Sequence, residues 1–262
     1  MLATLMGRSW DRISSGIAHF PAIARSFSGT LRFRHSASLM IAYLQRRCPS
    51  SLFLETRSGH KIYLNGDTDD LVTVLAVFGR KEYGEIPHSG VIIDIGAHLG
   101  AFSIYAAMHN ARNVYCYEPD PKLYRALLSN IGKNSFSTEI VPRQAAVMGT
   151  SSGTTMFYPE SNASGHVEKR DYDQDTQGVT VDAVTLAQIL RENDIQQVDL
   201  LKLDCEGSEY GIVFETSPDI WSRIKAIRLE YHRANSDALL RAFCSFGFSH
   251  VSMGWTFLLA VA

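Results

Sequence analysis

The sequence predicts an α/β fold: a Rossmann-like, mostly parallel sheet with helices on both faces, an antiparallel strand at one edge, and a helical extension in front. Three observations carry this. From residue 90 onward, apolar strand-like runs alternate with amphipathic helical patterns, the arrangement of a parallel sheet covered on both faces. The first of these runs, "VIIDIG", passes through a tight glycine turn into the helical pattern "AFSIYAA". The chain then closes on "FSHVSMGWTFLLAVA", which reads as a hairpin, and a hairpin brings an antiparallel strand to the sheet.

The 262 residues, 45% of them hydrophobic, suffice for one large domain with an extension. The extension is placed over residues 1–50 and the α/β domain over 51–262. In the extension Trp10, Ile13, Ile17, Phe20 and Ala24 follow the spacing of an amphipathic helix, and Pro21 breaks or kinks it. A second helix is expected over Ser36–Arg47, with Leu39, Met40, Tyr43 and Leu44 apolar and Pro49 ending it. Packing of these stripes on the domain is the simpler reading; a membrane-surface or partner-binding helix pair is the other. Residues 1–50 hold seven arginines and a single acid, Asp11, leaving 18 basic against 26 acidic groups in the rest. A basic extension therefore precedes an acidic body. An Arg- and Ser-rich, acid-poor start also describes a transit peptide. No apolar run approaches the ~20 residues of a membrane span.

Next, "SLFLETRSGHKIYL" reads as two short strands around a Ser58-Gly59 turn. In "DTDDLVTVLAVFGRKEYG" Asp67 or Thr68 caps a helix that Gly79 ends. "NVYCYEP" is the second strand of the main sheet, followed by a helix with Asp120 at its cap and Pro121 at its first position. "TEIVPRQAAV", "VDLLKLDCEG" and "IKAIRLEYH" supply the third, fourth and fifth strands, and "NSDALLRAFCSFG" a helix. Residues 151–180 form a polar, irregular insertion between the third and fourth strands, and long insertions on compact sheets tend to be functional. The four cysteines (Cys48, Cys116, Cys205, Cys244) make no C-x-x-C pair, which favours buried thiols in a reducing, cytoplasmic compartment.

Ligands of open α/β sheets sit at the carboxyl ends of the strands, where strand order reverses. There Asp94 leads into Gly96, His98 and Gly100, a turn whose glycines let the backbone approach a ligand. A dinucleotide needs G-x-G-x-x-G; this turn reads D-x-G-x-x-x-G, which suits S-adenosylmethionine better. Glu118 ends the second strand, placed to accept hydrogen bonds from both ribose hydroxyls. Gln144 offers an amide for the adenine edge.

The blocks "IDIGAHLGAFSIYAA", "VYCYEPDPKLYRALLSNI", "VPRQAAVMG", "DLLKLDCEGSEY" and "IRLEYH", in this order, resemble an FkbM-type methyltransferase, a class I S-adenosylmethionine-dependent family that mostly methylates hydroxyl oxygens. The resemblance covers about residues 52–262. Its most specific block is "KLDCEGSEY", with Lys202, Asp204, Glu206, Gly207 and Glu209 matching a Lys-x-Asp-x-Glu-Gly-x-Glu pattern, while His98 stands where an asparagine is usual. The resemblance implies a seven-stranded sheet with an antiparallel last strand, S-adenosylmethionine as cofactor, and a sugar, glycan or other small polar acceptor.

Methyl transfer to an alcohol requires positioning of the acceptor and removal of a proton. Lys202, Asp204, Glu206 and Glu209 cluster at the end of the fourth strand, and Glu230 and His232 at the end of the fifth. His232 is the natural general base at neutral pH and Glu206 its competitor. Asp204 serves both donor and acceptor sides; Glu209 and Glu230 are expected at the acceptor, as are Asn162, Ser164 and His166 from the insertion. Asp204, Glu206 and Glu230 could also hold Mg²⁺, but the spacing fixes no ligand geometry and no metal is assigned. Three rivals remain. An NAD(P)-dependent oxidoreductase lacks its glycine fingerprint. A nucleic-acid methylase lacks both an Asn/Asp-Pro-Pro-aromatic turn and a basic face on the body, so no nucleic acid is expected as partner. A non-catalytic nucleoside-binding protein would have no use for the acid and histidine cluster.

Overall fold

The computed structural model describes residues 30–45, 47, 53–150, 153–159, 165–167, 177–205, 207–231, 236–253 and 257–262. The stripe from Trp10 to Ala24, the loop residues Asn162 and Ser164, and the expected acid and base Glu206 and His232 lie outside them.

Helix α1 (Ser36–Gln45) precedes a hairpin of β1 (Phe53–Glu55) and β2 (Lys61–Tyr63), turned at Ser58-Gly59 as expected. The extension is joined to this hairpin, because Phe33 bridges to Thr56 and lies in the same core layer as Leu39 and Leu54. Helix α2 (Thr68–Val74) starts at Asp67, whose carboxylate accepts the Asp69 N–H. It does not stop at Gly79. It widens into a π-helical segment, Leu75–Arg80, and the left-handed residue that ends it is Lys81.

The main sheet follows. Its members are β3 (Val91–Ile95), β4 (Asn113–Tyr117), β5 (Glu139–Arg143), β10 (Leu200–Leu203), β11 (Ala226–Glu230), β12 (His250–Met253) and β13 (Phe257–Val261), in the spatial order β12-β13-β11-β10-β3-β4-β5. β5, β4, β3, β10 and β11 pair in parallel. β13 runs antiparallel between β11 and β12, so the reversed strand stands one place in from the edge that the hairpin led us to expect. Pro142, which cannot donate to a ladder, lies in the edge strand β5. Both faces are covered. Ile93, Leu201 and Ile227 face one core layer, Ile92, Val114 and Leu200 the other, which explains why the central strands are apolar throughout.

Helices α3 (Ala101–Met108) and α4 (Pro121–Gly132) follow β3 and β4, α4 capped by the Asp120 carboxylate on the Lys122 and Leu123 N–H groups. The third strand region then splits in two. After β5 the chain turns away, and β6 (Ala146–Met148) joins β7 (Gly153–Pro159), β8 (Gly165–His166) and β9 (Val179–Thr185) in a second sheet ordered β6-β9-β7-β8. The insertion is therefore not irregular in its described parts; "TTMFYP" and "VTVDAVT" are antiparallel partners. Helix α5 (Leu186–Glu192) returns the chain to β10; α6 (Glu209–Glu215) and α7 (Pro218–Trp221) lead to β11, and α8 (Ser236–Ser245) to the closing hairpin.

Candidate active site

The sheet reverses direction of growth between β3 and β10, and a cleft opens at their carboxyl ends, with a cavity volume of about 270 Å³. At its floor, β10 returns so close to the first turn that a Cβ at Gly96 would come within 1.7 Å of the Asp204 carbonyl oxygen, and Gly96 adopts φ +75°. Only glycine fits there. His98 takes the left-handed conformation, φ 54°, in the same turn. Gly100, at φ +90°, lets the turn close over Leu127 and starts α3.

Glu118 lines the cleft and is 5% exposed. Its Oε2 accepts the His98 N–H at 2.7 Å and its Oε1 the Asp120 N–H at 2.9 Å, so the acid also braces the glycine turn. Burial pushes its carboxyl up to about 7, against the pull of those two hydrogen bonds and of Lys202. Each oxygen keeps a second acceptor direction for a ligand hydroxyl.

Asp94 and Lys202 are register partners on β3 and β10, which sets their side chains together. Lys202 Nζ lies 3.1 Å from Asp94 and 3.6 Å from Asp204, and donates to the Gly96 carbonyl at 2.6 Å. Burial disfavours its charge, but the neighbouring carboxylates outweigh this and hold its pKa above the ordinary lysine value. Asp94, held by Lys202 and by the Ser103 hydroxyl at 2.7 Å, is fully buried and lies behind the cleft wall. It supports the turn and is not among the residues that line the cleft, where the sequence placed it.

Beyond the carboxyl ends of β10 and β11, the Tyr83 hydroxyl donates to Asp204 Oδ2 at 2.8 Å and lies 3.4 Å from Glu230 Oε2. Tyr83, Lys202 and Asp204 share the cleft wall. Burial, then Asp204 and Glu230, raise the phenol far above its ordinary value, so Tyr83 stays a neutral donor. Glu230 thus sits beside the cleft through Tyr83. Glu209 does not face it. Its carboxylate accepts the Cys205 and Gly207 N–H groups at 2.9 and 2.7 Å, a brace for the turn after β10.

His98 Nε2 is 3.9 Å from Asp70 Oδ1, tying the glycine turn to α2. Burial raises the Asp70 carboxyl, with His98 opposing. Behind it Asp69, Thr73 and Val77 form a further wall of the cleft. This wall, like Tyr83, was invisible to sequence reasoning, because it lies in what reads as a peripheral helix and loop. On the opposite side Phe157, His166 and Val167 bring the insertion sheet to the same cleft. His166 is buried there and lines the cleft. Gln144 is not on the wall; the residues that are, Ala145, Ala146 and Val147, follow it where the chain passes into β6.

A family model described as the methyltransferase FkbM domain matches residues 94–249, from Asp94 to the last turn before β12. The chain belongs to this family. The FkbM-family protein is 25% identical over 175 residues to 31-O-demethyl-FK506 methyltransferase FkbM of Streptomyces tacrolimicus, covering 56% of this chain and 67% of that one. It is 22% identical over 178 residues to Methyltransferase sdnD of Sordaria araneosa, covering 57% and 69%. Among solved structures, M. capricolum TrmK in complex with S-adenosyl-homocysteine is similar with a TM-score of 0.43 and 12% identity, over 70% of this chain and 65% of that chain. The protein is an S-adenosylmethionine-dependent methyltransferase, and its cleft fits that cofactor: a buried acid for hydroxyls at Glu118, a close backbone approach at Gly96, and a small apolar wall at Ala145–Val147. Among the described residues, no helix is long and apolar enough to cross a membrane.

Proposed function

We propose that this FkbM-family protein methylates a hydroxyl oxygen on a sugar, glycan or other small polar acceptor. The observation that carries the reading is the Tyr83–Asp204–Glu230 cluster at the carboxyl ends of β10 and β11, where Asp204 opens onto the cleft. The bound cofactor supplies an electrophilic methyl group. The protein must hold the cofactor, aim the acceptor oxygen and take its proton. Glu118 is assigned to the ribose hydroxyls, and Gly96 and His98 to the aminoacid end. Glu206 and His232 are assigned to the acceptor hydroxyl, one deprotonating and the other supporting, and Asp204 to both the donor and the acceptor side. His166, with Asn162 and Ser164 before it, is assigned to the acceptor side. The relative from Streptomyces, named for a methyl group on oxygen, supports an oxygen acceptor. The acidic body argues against nucleic acid as partner; the buried thiol of Cys116 fits a reducing cytoplasm, while Cys205 is half-buried and Cys244 is exposed, against the expectation of buried thiols.

The test is incubation of the full chain with methyl-labelled S-adenosylmethionine and a small-molecule extract, with the labelled product identified by mass. An ether-linked methyl group is expected. Label on nitrogen or carbon would overturn the reading. His232→Ala and Glu206→Gln should each lower turnover by at least about 10²-fold with donor affinity unchanged.

A further inference from the structure

Helix α1 contains no charged residue, and its exposed side is uncharged, with Ser38 and Gln45 beside exposed apolar residues. Its inner stripe, Leu39 and Met40, is buried. Its outer stripe runs Ala37, Ile41 and Leu44, one helical face at spacings of four and three. Ile41 is 55% and Leu44 57% exposed, and Leu31, just before the helix, is 47% exposed. Cations lie at both ends of this helix. Arg34 precedes it, exposed Arg47 follows it, and Arg32 and Arg57 share a surface groove with Leu31. The Arg57 N–H is hydrogen-bonded to the Arg32 carbonyl at 2.8 Å, which fixes those two residues side by side. Between Asp11 and Glu55 the chain has six arginines and no acid.

An apolar helical stripe bordered by guanidinium groups, with the adjacent Glu55 neutralised by its ion pair with Arg34 at 3.4 Å, matches an anionic lipid bilayer. The apolar side chains enter the acyl boundary while the arginines reach the phosphates. We propose that α1, with Leu31, Arg32, Arg47 and Arg57, docks the protein on an anionic membrane surface, lying in the interface and not crossing it. The docking face belongs to the segment before the family-matched region and does not depend on the identity of the acceptor.

The experiment is co-sedimentation of the full chain with vesicles of phosphatidylcholine alone and of phosphatidylcholine with phosphatidylglycerol. The expected result is binding at least about tenfold stronger to the anionic vesicles, weakened by high salt. Ile41→Asp with Leu44→Asp should abolish it, and Arg32→Glu with Arg47→Glu should weaken it comparably. Unchanged S-adenosylhomocysteine affinity shows that each variant is folded. Should the aspartate variant fail to fold, the arginine pair alone decides. Failure of the wild type to bind either vesicle overturns the proposal, as does binding that survives the variants. It also falls if Ile41→Asp with Leu44→Asp converts a dimer to a monomer, making the face a contact between copies, or if a duplex oligonucleotide binds more tightly than the anionic vesicles.

Discussion

Cofactor binding by this protein should be linked to a proton on Glu118. The carboxyl is buried and pushed up to about 7, yet the ribose hydroxyls it is assigned to need an acceptor, the ionised form. In the empty cleft roughly one carboxyl in ten is ionised at about pH 6 and roughly nine in ten at about pH 8. Binding that selects the carboxylate must therefore expel a proton at the lower pH. Affinity should fall about tenfold per pH unit below the midpoint, or ~1.4 kcal/mol, and level off above it. Calorimetry with S-adenosylhomocysteine at several pH values, in buffers of different ionisation enthalpy, reads both the affinity and the proton released. Glu118→Gln should bind ~1.5–3 kcal/mol more weakly at high pH, because charge-assisted hydrogen bonds become neutral ones, and its affinity should lose the tenfold-per-unit slope that Glu118 causes. The His98–Asp70 pair is the other titratable couple on this wall, and its contribution would persist in Glu118→Gln. Equal affinity at high and low pH without proton release would refute the reasoning.

Three further outcomes follow from the same geometry. Tyr83→Phe removes the hydrogen bond to Asp204, and methyl transfer measured with labelled donor should slow by roughly tenfold or more while donor affinity stays within about twofold; an unchanged rate removes Tyr83 from the acceptor end. Gly96→Ala places a methyl group against the Asp204 carbonyl at a left-handed φ, and should cost ~3 kcal/mol or more, read as a thermal midpoint lower by about 5–10 °C. Lys202→Met leaves the Asp94 carboxylate buried without its ammonium. It should lose ~3–5 kcal/mol in urea unfolding, and adding Asp94→Asn should restore part of the loss.

The parts of the fold that were legible in the sequence are those that local rules dictate. The turn from β3 into α3 is legible because positive φ at Gly96 and Gly100 admits few residues other than glycine. The Asp120-Pro121 start of α4 is legible because the cap and the fixed proline φ both act within one turn. What failed depends on contacts distant in the chain. Tyr83 lies 121 residues from Asp204, in "KEYG", where nothing local marks a cleft residue. "VPRQAAVM" reads as one strand because its apolar pattern does not show that β6 leaves the main sheet for β9, and that departure is what takes Gln144 off the wall and puts Ala145 on it. Glu209 carries the same carboxylate as its neighbours in "DCEGSEY". Only the backbone N–H groups turned toward it distinguish a brace from a binding residue.

The pairing of β6 with β9 has a consequence for how this scaffold can change. Met148 and Thr185 are register partners, so the excursion between them begins and ends at adjacent points on one ladder. Its length is then nearly independent of the seven-stranded sheet, since extending a loop with fixed ends costs only slowly more. The segment behaves as an exchangeable cassette plugged into a fixed socket. Grafting another relative's hairpin between β6 and β9 should alter what is methylated before it alters whether the protein folds. The limit is set by Ala146 and Val147, which belong at once to the socket and to the cleft wall.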